Sequence, residues 1–454
     1  MIRRVIIGLA FLCASFGMHA GEAAAESWWG RLELGQGRSL KLVVNISADS
    51  SITLDSPDQG ARGIPAVTRV LTGDSINFVI PKLGADFAGR RSSDRIDGVF
   101  TQAGYIFSLS LKPGDGKVNR PQTPQPPFPY SEREVTVENP AGGSVLSGTL
   151  CVPNDYSFRT PVVVLVTGSG LQNRDEELFE HKPFAVIADY LARQGIASLR
   201  YDDRGMGRST GNAFDATTAD FASDAKAVVD WLRNQHLFSS VGLLGHSEGG
   251  QIAYMLAAGA STPDFIISVA GPSVKGTETI KWQNKVALQK SGIPEHVADD
   301  FVAALGRVFD YKLEGHGETI VTDEMLSEFY PQLNDDATTR KLGATLRPVL
   351  EAQPDNPWMM YFLNYDAAED LRALHVPALI IYGSKDLQVP PHLNLERARE
   401  LAPTALVKEF DGLNHMMQHA VTGNVEEYGQ IEETIAPEVL EEMVSFIAHA
   451  LGWL

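Results

Sequence analysis

The chain has 454 residues, more than one ordinary domain needs, and its 44% hydrophobic and 21% charged residues are the composition of a globular protein with a real core. Lys plus Arg number 38 against 57 Asp plus Glu, a formal charge of −19; such a surface repels phosphate backbones, which sets nucleic acid aside as a partner.

The first 25 residues have the pattern of a secretory signal peptide. Arg3 and Arg4 give a basic start, Val5 to Phe16 is mostly apolar but too short to span a bilayer, and Ala23-Ala24-Ala25 offers a cleavage site. Leu12, ahead of Cys13, is not the small residue that a lipid-anchor signal wants. The expected protein is periplasmic or secreted, with no stable membrane insertion after cleavage. Its only cysteine is then Cys151, so no internal disulfide forms.

Residues 28–113 read as a β-rich domain. Runs such as Leu40 to Val44 and Ser75 to Ile80 are separated by turn signals at Pro57-Asp58-Gln59-Gly60, Gly73-Asp74 and Lys112 to Gly116. An antiparallel meander or a barrel-like domain fits. Residues 114–130 form a linker, whose Pro121, Pro124, Pro126, Pro127 and Pro129 favour extended polyproline geometry. From residue 131 to 454 the pattern changes. A hairpin flanks Pro140-Ala141-Gly142-Gly143, and then short apolar runs alternate with amphipathic helices. Strands are expected at Val162 to Val166, Ile196 to Tyr201, Val241 to Leu244 and Phe265 to Val269, with helices at Ala185 to Gln194 and Thr218 to Gln235. That alternation predicts a mostly parallel sheet covered on both faces. From about 271 to 374 the chain is helix-like, broken at Pro294, Pro331 and Pro354. It reads as a helical lid inserted before the strand Pro377 to Tyr382, and Trp358, Met359, Met360, Tyr361 and Phe362 are its apolar cluster.

Gly245-His246-Ser247-Glu248-Gly249 is a G-x-S-x-G motif between an expected strand and an expected helix, the setting of a strained turn that lifts a serine hydroxyl clear of the sheet. A serine needs a base, and the base an acid to orient it. In chain order Ser, acid, His, the candidates are Ser247, Asp386 just past a buried strand, and His415 in Asp411-Gly412-Leu413-Asn414-His415 after the strand Val407 to Phe410. His419 is the alternative base; His392 and His449 fall on expected helices, and Asp411 lies too near His415 to serve as its acid. The flanking His246 and Glu248 side chains are read as packing or hydrogen-bonding residues of the turn. An oxyanion needs two donors. One is the backbone N–H of Glu248; the other comes from Thr167-Gly168-Ser169-Gly170-Leu171, with Ser169 first and Leu171 next. Arg204, in Asp203-Arg204-Gly205-Met206-Gly207-Arg208-Ser209, is expected to brace neighbouring loops.

Taken together, Gly168-Ser169-Gly170, Asp203-Arg204-Gly205, Gly245-His246-Ser247-Glu248-Gly249-Gly250, Gly383-Ser384-Lys385-Asp386, Leu413-Asn414-His415 and Glu426 to Ile431 make the stretch from Val162 onward resemble secreted bacterial α/β-hydrolases. The resemblance is to EstD-like carboxylesterases and the related serine-aminopeptidase-like branch, and residues 28–113 resemble their β-rich N-terminal domain more loosely. Leu171 departs from the pattern, where relatives often carry Pro. The resemblance implies an α/β-hydrolase fold and a serine carboxylesterase that hydrolyses short-chain acyl esters, small-molecule substrates, through an acyl-enzyme on Ser247. The alternatives are a peptidase of short peptides using the same triad, and a non-catalytic envelope-binding protein acting through its β-domain. No metal or cofactor is expected: there is no H-E-x-x-H and no phosphate-cradling glycine loop. Fold and triad set neither acyl length nor oligomeric state.

Overall fold

The computed structural model describes residues 26–35, 38–59, 61–259, 263–315 and 356–453. The expected signal peptide and the expected lid breaks at Pro331 and Pro354 lie outside the described residues.

Eight strands follow one another along the chain, β1 (Glu26–Gly35), β2 (Arg38–Ile46), β3 (Ile52–Ser56), β4 (Ala61–Leu71), β5 (Ser75–Ile80), β6 (Ala85–Arg91), β7 (Ile96–Gln102) and β8 (Tyr105–Pro113). Each pairs antiparallel with the next, and the sheet closes into a barrel where Trp28 and Trp29 of β1 meet Pro113 and Lys112 of β8. β5 shows the cause in miniature: Ile76, Phe78 and Ile80 are buried, and Ser75, Asn77 and Val79 between them are half-exposed. Trp28, Leu42, Phe78, Phe87 and Phe100 fill the interior, so this is a packed core. Of the two arrangements the sequence allows, the barrel is the one formed. It begins at Glu26, two residues before the expected boundary, because Ser27 already pairs with Asn45 across β2.

The rest of the chain runs β9 (Tyr130–Asn139), β10 (Ser144–Pro153), β11 (Val162–Val166), α1 (Pro183–Arg193), β12 (Ala197–Tyr201), α2 (Thr218–Gln235), β13 (Val241–His246), α3 (Glu248–Ala258) and β14 (Ile266–Val269). The inserted helices are α4 (Gly276–Lys290), α5 (Glu295–Leu313), α6 (Pro357–Asn364) and α7 (Ala368–Arg372); then come β15 (Ala378–Gly383), α8 (Pro391–Leu401), β16 (Leu406–Phe410), α9 (Val425–Tyr428) and α10 (Pro437–Ala450). The eight strands lie in the order β16-β15-β14-β13-β11-β12-β10-β9. β9, β10 and β12 pair antiparallel, and all other neighbours are parallel. β11 is apolar throughout because it feeds two layers: Val162, Val164 and Val166 pack with α2 and α3, and Val163 and Leu165 with α1 and α10. The chain goes from β11 to β12 on one side and from β12 to β13 on the other, so the carboxyl ends of β11 and β13 flank a topological switch point, where such sheets place their sites.

In the insertion, Phe301, Leu305, Val308 and Phe309 of α5 pack with Leu288 of α4 and Leu363 of α6 in a core of their own. Pro294 separates α4 from α5, as its missing N–H requires. The proline-rich segment is docked to the domain built on the second sheet. Arg120 donates to the carbonyls of Phe179, Gly429 and Ile431, and Gln122 exchanges hydrogen bonds with the main chain of Thr434 and Ile435. Among the described residues, no helix is long and apolar enough to cross a membrane.

Candidate active site

Ser247 stands between the end of β13 and the start of α3 with φ at 53°, a left-handed conformation that only a forced turn imposes on a non-glycine residue. Two glycines permit it. A Cβ on Gly245 would fall 1.9 Å from the Gly249 carbonyl oxygen, and one on Gly249 would fall 2.2 Å from that of Val166. The Ser247 N–H donates to the Val269 carbonyl at 2.8 Å, which pins the turn to β14. Helix α3 opens at Glu248, immediately after the serine, and so brings its N-terminal amides against it.

The other two expected triad members meet. His415 Nδ1 lies 2.7 Å from Asp386 Oδ2, with Asp386 only 1% and His415 5% exposed. The second carboxylate oxygen accepts the backbone N–H groups of Gln388 and Val389, both at 2.8 Å, which turns Oδ2 toward the ring. Asn414 shapes the turn that carries His415: its side-chain oxygen accepts from the N–H of Met416 and of Gln418. An Nδ1 bound to a carboxylate carries a proton, so Nε2 is the nitrogen left for the serine. Among the described residues the Ser247 hydroxyl has no hydrogen-bond partner; its neighbour His246 packs its ring on that of His415, centroids 4.8 Å apart. The alternative base, His419, lies in no helix. It is exposed and pairs with Glu433 and Glu438, away from Asp386.

Asp203 holds the glycine loop after β11 at both ends, accepting from Thr167 Oγ1 at 2.8 Å and from the Gln172 N–H at 2.7 Å. Burial pushes this carboxyl well above the usual carboxylate range, although the bonds from Gln172 and Thr167 pull the other way. The Gly168 N–H is already committed, to Glu176 Oε1 at 2.8 Å. Among the described residues, the N–H groups of Ser169, Leu171 and Glu248 donate to no protein acceptor. The expected oxyanion donors are thus all uncommitted, and the geometry leaves Ser169 and Leu171 both available.

Arg204 braces loops, as its motif suggests. It pairs with buried Asp224 at 2.7 Å and donates to the carbonyls of Asp220 and Gly142. The His246 and Glu248 side chains hydrogen-bond, as expected, but their partners were not legible beforehand. Glu176 bonds His246 at 2.9 Å; it sits in the run Asn173 to Glu177, which matches no motif. Glu248 accepts from Thr218 at 2.6 Å and from the indole of Trp358, on α6, at 2.9 Å. Trp358 stacks on buried Phe362, so this part of the expected cluster serves packing and a polar tie together.

A family model described as the alpha/beta hydrolase fold matches residues 161–420. Esterase EstD of Thermotoga maritima is 27% identical over 295 residues, 64% of this chain and 61% of that protein, so less than two thirds of that relative's length is spanned. A non-heme haloperoxidase of Rhodococcus erythropolis is 28% identical over 245 residues, 50% of this chain and 78% of its own. Among solved structures, an esterase of Pyrococcus furiosus is 15% identical with a TM-score of 0.44, covering 75% of this chain and all of its own. Est1E of Butyrivibrio proteoclasticus is 14% identical with a TM-score of 0.42, covering 70% and 99%.

Proposed function

The chain belongs to the α/β-hydrolase fold family, and from that premise we propose that it is a serine carboxylesterase acting on short-chain acyl esters, with Ser247, Asp386 and His415 as its triad. The observation that carries this reading is the buried Asp386–His415 pair, whose imidazole packs on His246, the residue just before a serine held at positive φ on a glycine-flanked turn. The similarity to Esterase EstD favours esters as the substrate class.

His415 takes the Ser247 proton at Nε2, and Oγ attacks the ester carbonyl. The carbonyl oxygen becomes an oxyanion held by the amides of Glu248 and Ser169, with Leu171 the alternative to Ser169. As the intermediate collapses, the bond to the alcohol oxygen breaks, His415 hands its proton to the leaving alkoxide, and the acyl group stays on Ser247. Water, deprotonated by His415, then attacks the acyl carbon. The acid departs and Ser247 regains its proton. Asp386 fixes the ring with Nδ1 protonated and stabilises its cation.

The peptidase alternative needs a carboxylate free to bind a cationic amino terminus. Among the described residues, the two carboxylates beside Ser247 are engaged, Glu176 by His246 and Gly168, and Glu248 by Thr218 and Trp358. This favours the esterase. The test sets p-nitrophenyl acetate, butyrate and octanoate beside amino-acyl p-nitroanilides. Ester turnover should fall by ~10³-fold or more in Ser247→Ala. Anilide turnover without ester turnover would replace this reading with the peptidase, and an unimpaired Ser247→Ala would remove the mechanism.

A further inference from the structure

His246 is held between two acceptors. Its Nδ1 lies 2.9 Å from Glu176 Oε1 and its Nε2 lies 3.0 Å from the main-chain carbonyl oxygen of His415. A carbonyl oxygen cannot donate, and Glu176 Oε1 already accepts the Gly168 N–H at 2.8 Å. A neutral imidazole has one N–H to give, so only the doubly protonated ring satisfies both contacts. The pair is well covered, with the side chains of His246 and Glu176 15% and 7% exposed. The wall behind them is apolar, built by Phe184, Ile187, Leu244, Met416, Met417 and Met443. In such surroundings a charge persists only when paired.

The connections of this pair are unusual. Glu176 reaches the first residue of the glycine loop that carries the oxyanion donors, and His246 reaches the main chain of the residue that carries the base. We propose that His246 is a positioning residue of the esterase site: a largely covered imidazolium that, with Glu176, holds the His415 backbone on one side and Gly168 on the other. One ion pair then sets the separation between the proton-accepting ring and the amides that receive the oxyanion. The inference rests on the esterase reading above.

The charged groups facing His246 are Glu176 from the loop after β11, Asp386 from the loop after β15, and the His415 ring from the loop after β16. Burial alone would push the His246 ring down. The Glu176 carboxylate more than offsets this and, with the bond to the His415 carbonyl and the charge of Asp386, holds it up at about 8. Above that pH the ring gives up a proton, one of its two acceptors loses its partner, and the catalytic groups drift.

The test is kcat and KM for p-nitrophenyl butyrate against pH, with spontaneous hydrolysis subtracted. The wild type should decline above pH of about 8. Glu176→Gln removes the offsetting charge, so its alkaline limb should move down by about one pH unit or more, toward the ordinary histidine value of about 6.5. At pH 8 its kcat should fall about tenfold while KM changes by less than about threefold, because binding is not what the pair controls. A wild-type profile flat to pH 10, or an unmoved limb in Glu176→Gln, overturns the proposal. Should that variant not fold, ¹⁵N-histidine NMR of Ser247→Ala reads the same ring directly. Two protonated nitrogens on His246 at pH 7 are expected, and a neutral ring overturns it. Failure of the esterase reading is separately visible, as ester turnover that survives Ser247→Ala.

Discussion

Asp386 offers a substitution that separates orientation from architecture. Its two oxygens have different tasks: one accepts the N–H groups of Gln388 and Val389, the other faces His415 Nδ1 at 2.7 Å. In Asp386→Asn the amide oxygen can keep the two backbone bonds, and the amide nitrogen then faces His415. A donor facing Nδ1 forces the proton onto Nε2, where it blocks acceptance from Ser247. The expected outcome is a loss of ~10⁴-fold in kcat with the folded state intact, checked by ester kinetics and thermal melting side by side. A variant that keeps a tenth of wild-type activity would take Asp386 out of the triad. The three triad candidates were legible because each sits in a motif at the end of a strand. Glu176 was not. Its contact with His246 joins residues far apart in the chain, and nothing in the run Asn173 to Glu177 distinguishes the acid that turns toward His246 from Asp175, which pairs with Arg200, or Glu177, which pairs with Arg62.

Among the elements, legibility followed how local the cause is. Helix α2 falls on the expected Thr218 to Gln235 because its apolar residues recur at helical spacing and its start is marked by Asp220, which accepts from the Thr217 N–H at 2.9 Å. The insertion was legible only as helical, because its helices take their places from packing between α4, α5 and α6. What ties it to the site is polar. Glu248, next to Ser247, accepts from Thr218 on α2 and from Trp358 on α6, so one carboxylate joins two layers. Burial pushes this carboxyl up from its ordinary value, and the bonds from Thr218, Trp358 and Ser169 pull it back. Trp358→Phe keeps an aromatic ring against Phe362 and deletes the indole donor. A hydrogen bond to a charged group contributes about 1.5–3 kcal/mol, and the half-buried Trp358 belongs at the low end. Local opening of α6 should then rise about tenfold, read as faster cleavage by a limiting protease at α6 with global stability little changed. Unchanged cleavage would show that the apolar stack alone holds the helix.

At the scale of the molecule, the barrel and the hydrolase sheet are joined by charged and polar contacts on the loop between β11 and α1. Lys41 of β2 pairs with Glu180 at 2.8 Å, and Arg62 of β4 with Glu177 at 2.8 Å; the same loop holds Glu176 against His246. The sequence made the β character of the first domain visible through alternation within single strands. It did not show that β1 closes on β8, or that Arg120 and Gln122 dock the proline-rich segment, because those depend on partners that no local pattern names.

His181 gives this junction a pH dependence with a definite sign. It is fully buried, with Nδ1 2.9 Å from Thr434 Oγ1 and Nε2 2.9 Å from the Tyr428 carbonyl oxygen. Burial, and next the charge of Arg120, hold the ring down at about 4. In the unfolded chain it takes a proton near its ordinary value of about 6.5. Between those values the unfolded state binds more protons than the folded one, so stability is fully present above about 6.5 and is lost as pH falls toward 4. The loss from this ring amounts to about 3 kcal/mol. His181→Gln cannot titrate. Urea unfolding at pH 7, 5.5 and 4.5 should therefore show the wild type weakening more steeply than the variant, with most of that difference developed by the lowest pH. Parallel slopes would mean that the ring protonates in place without cost, and that the acid sensitivity of the junction lies with its carboxylates instead.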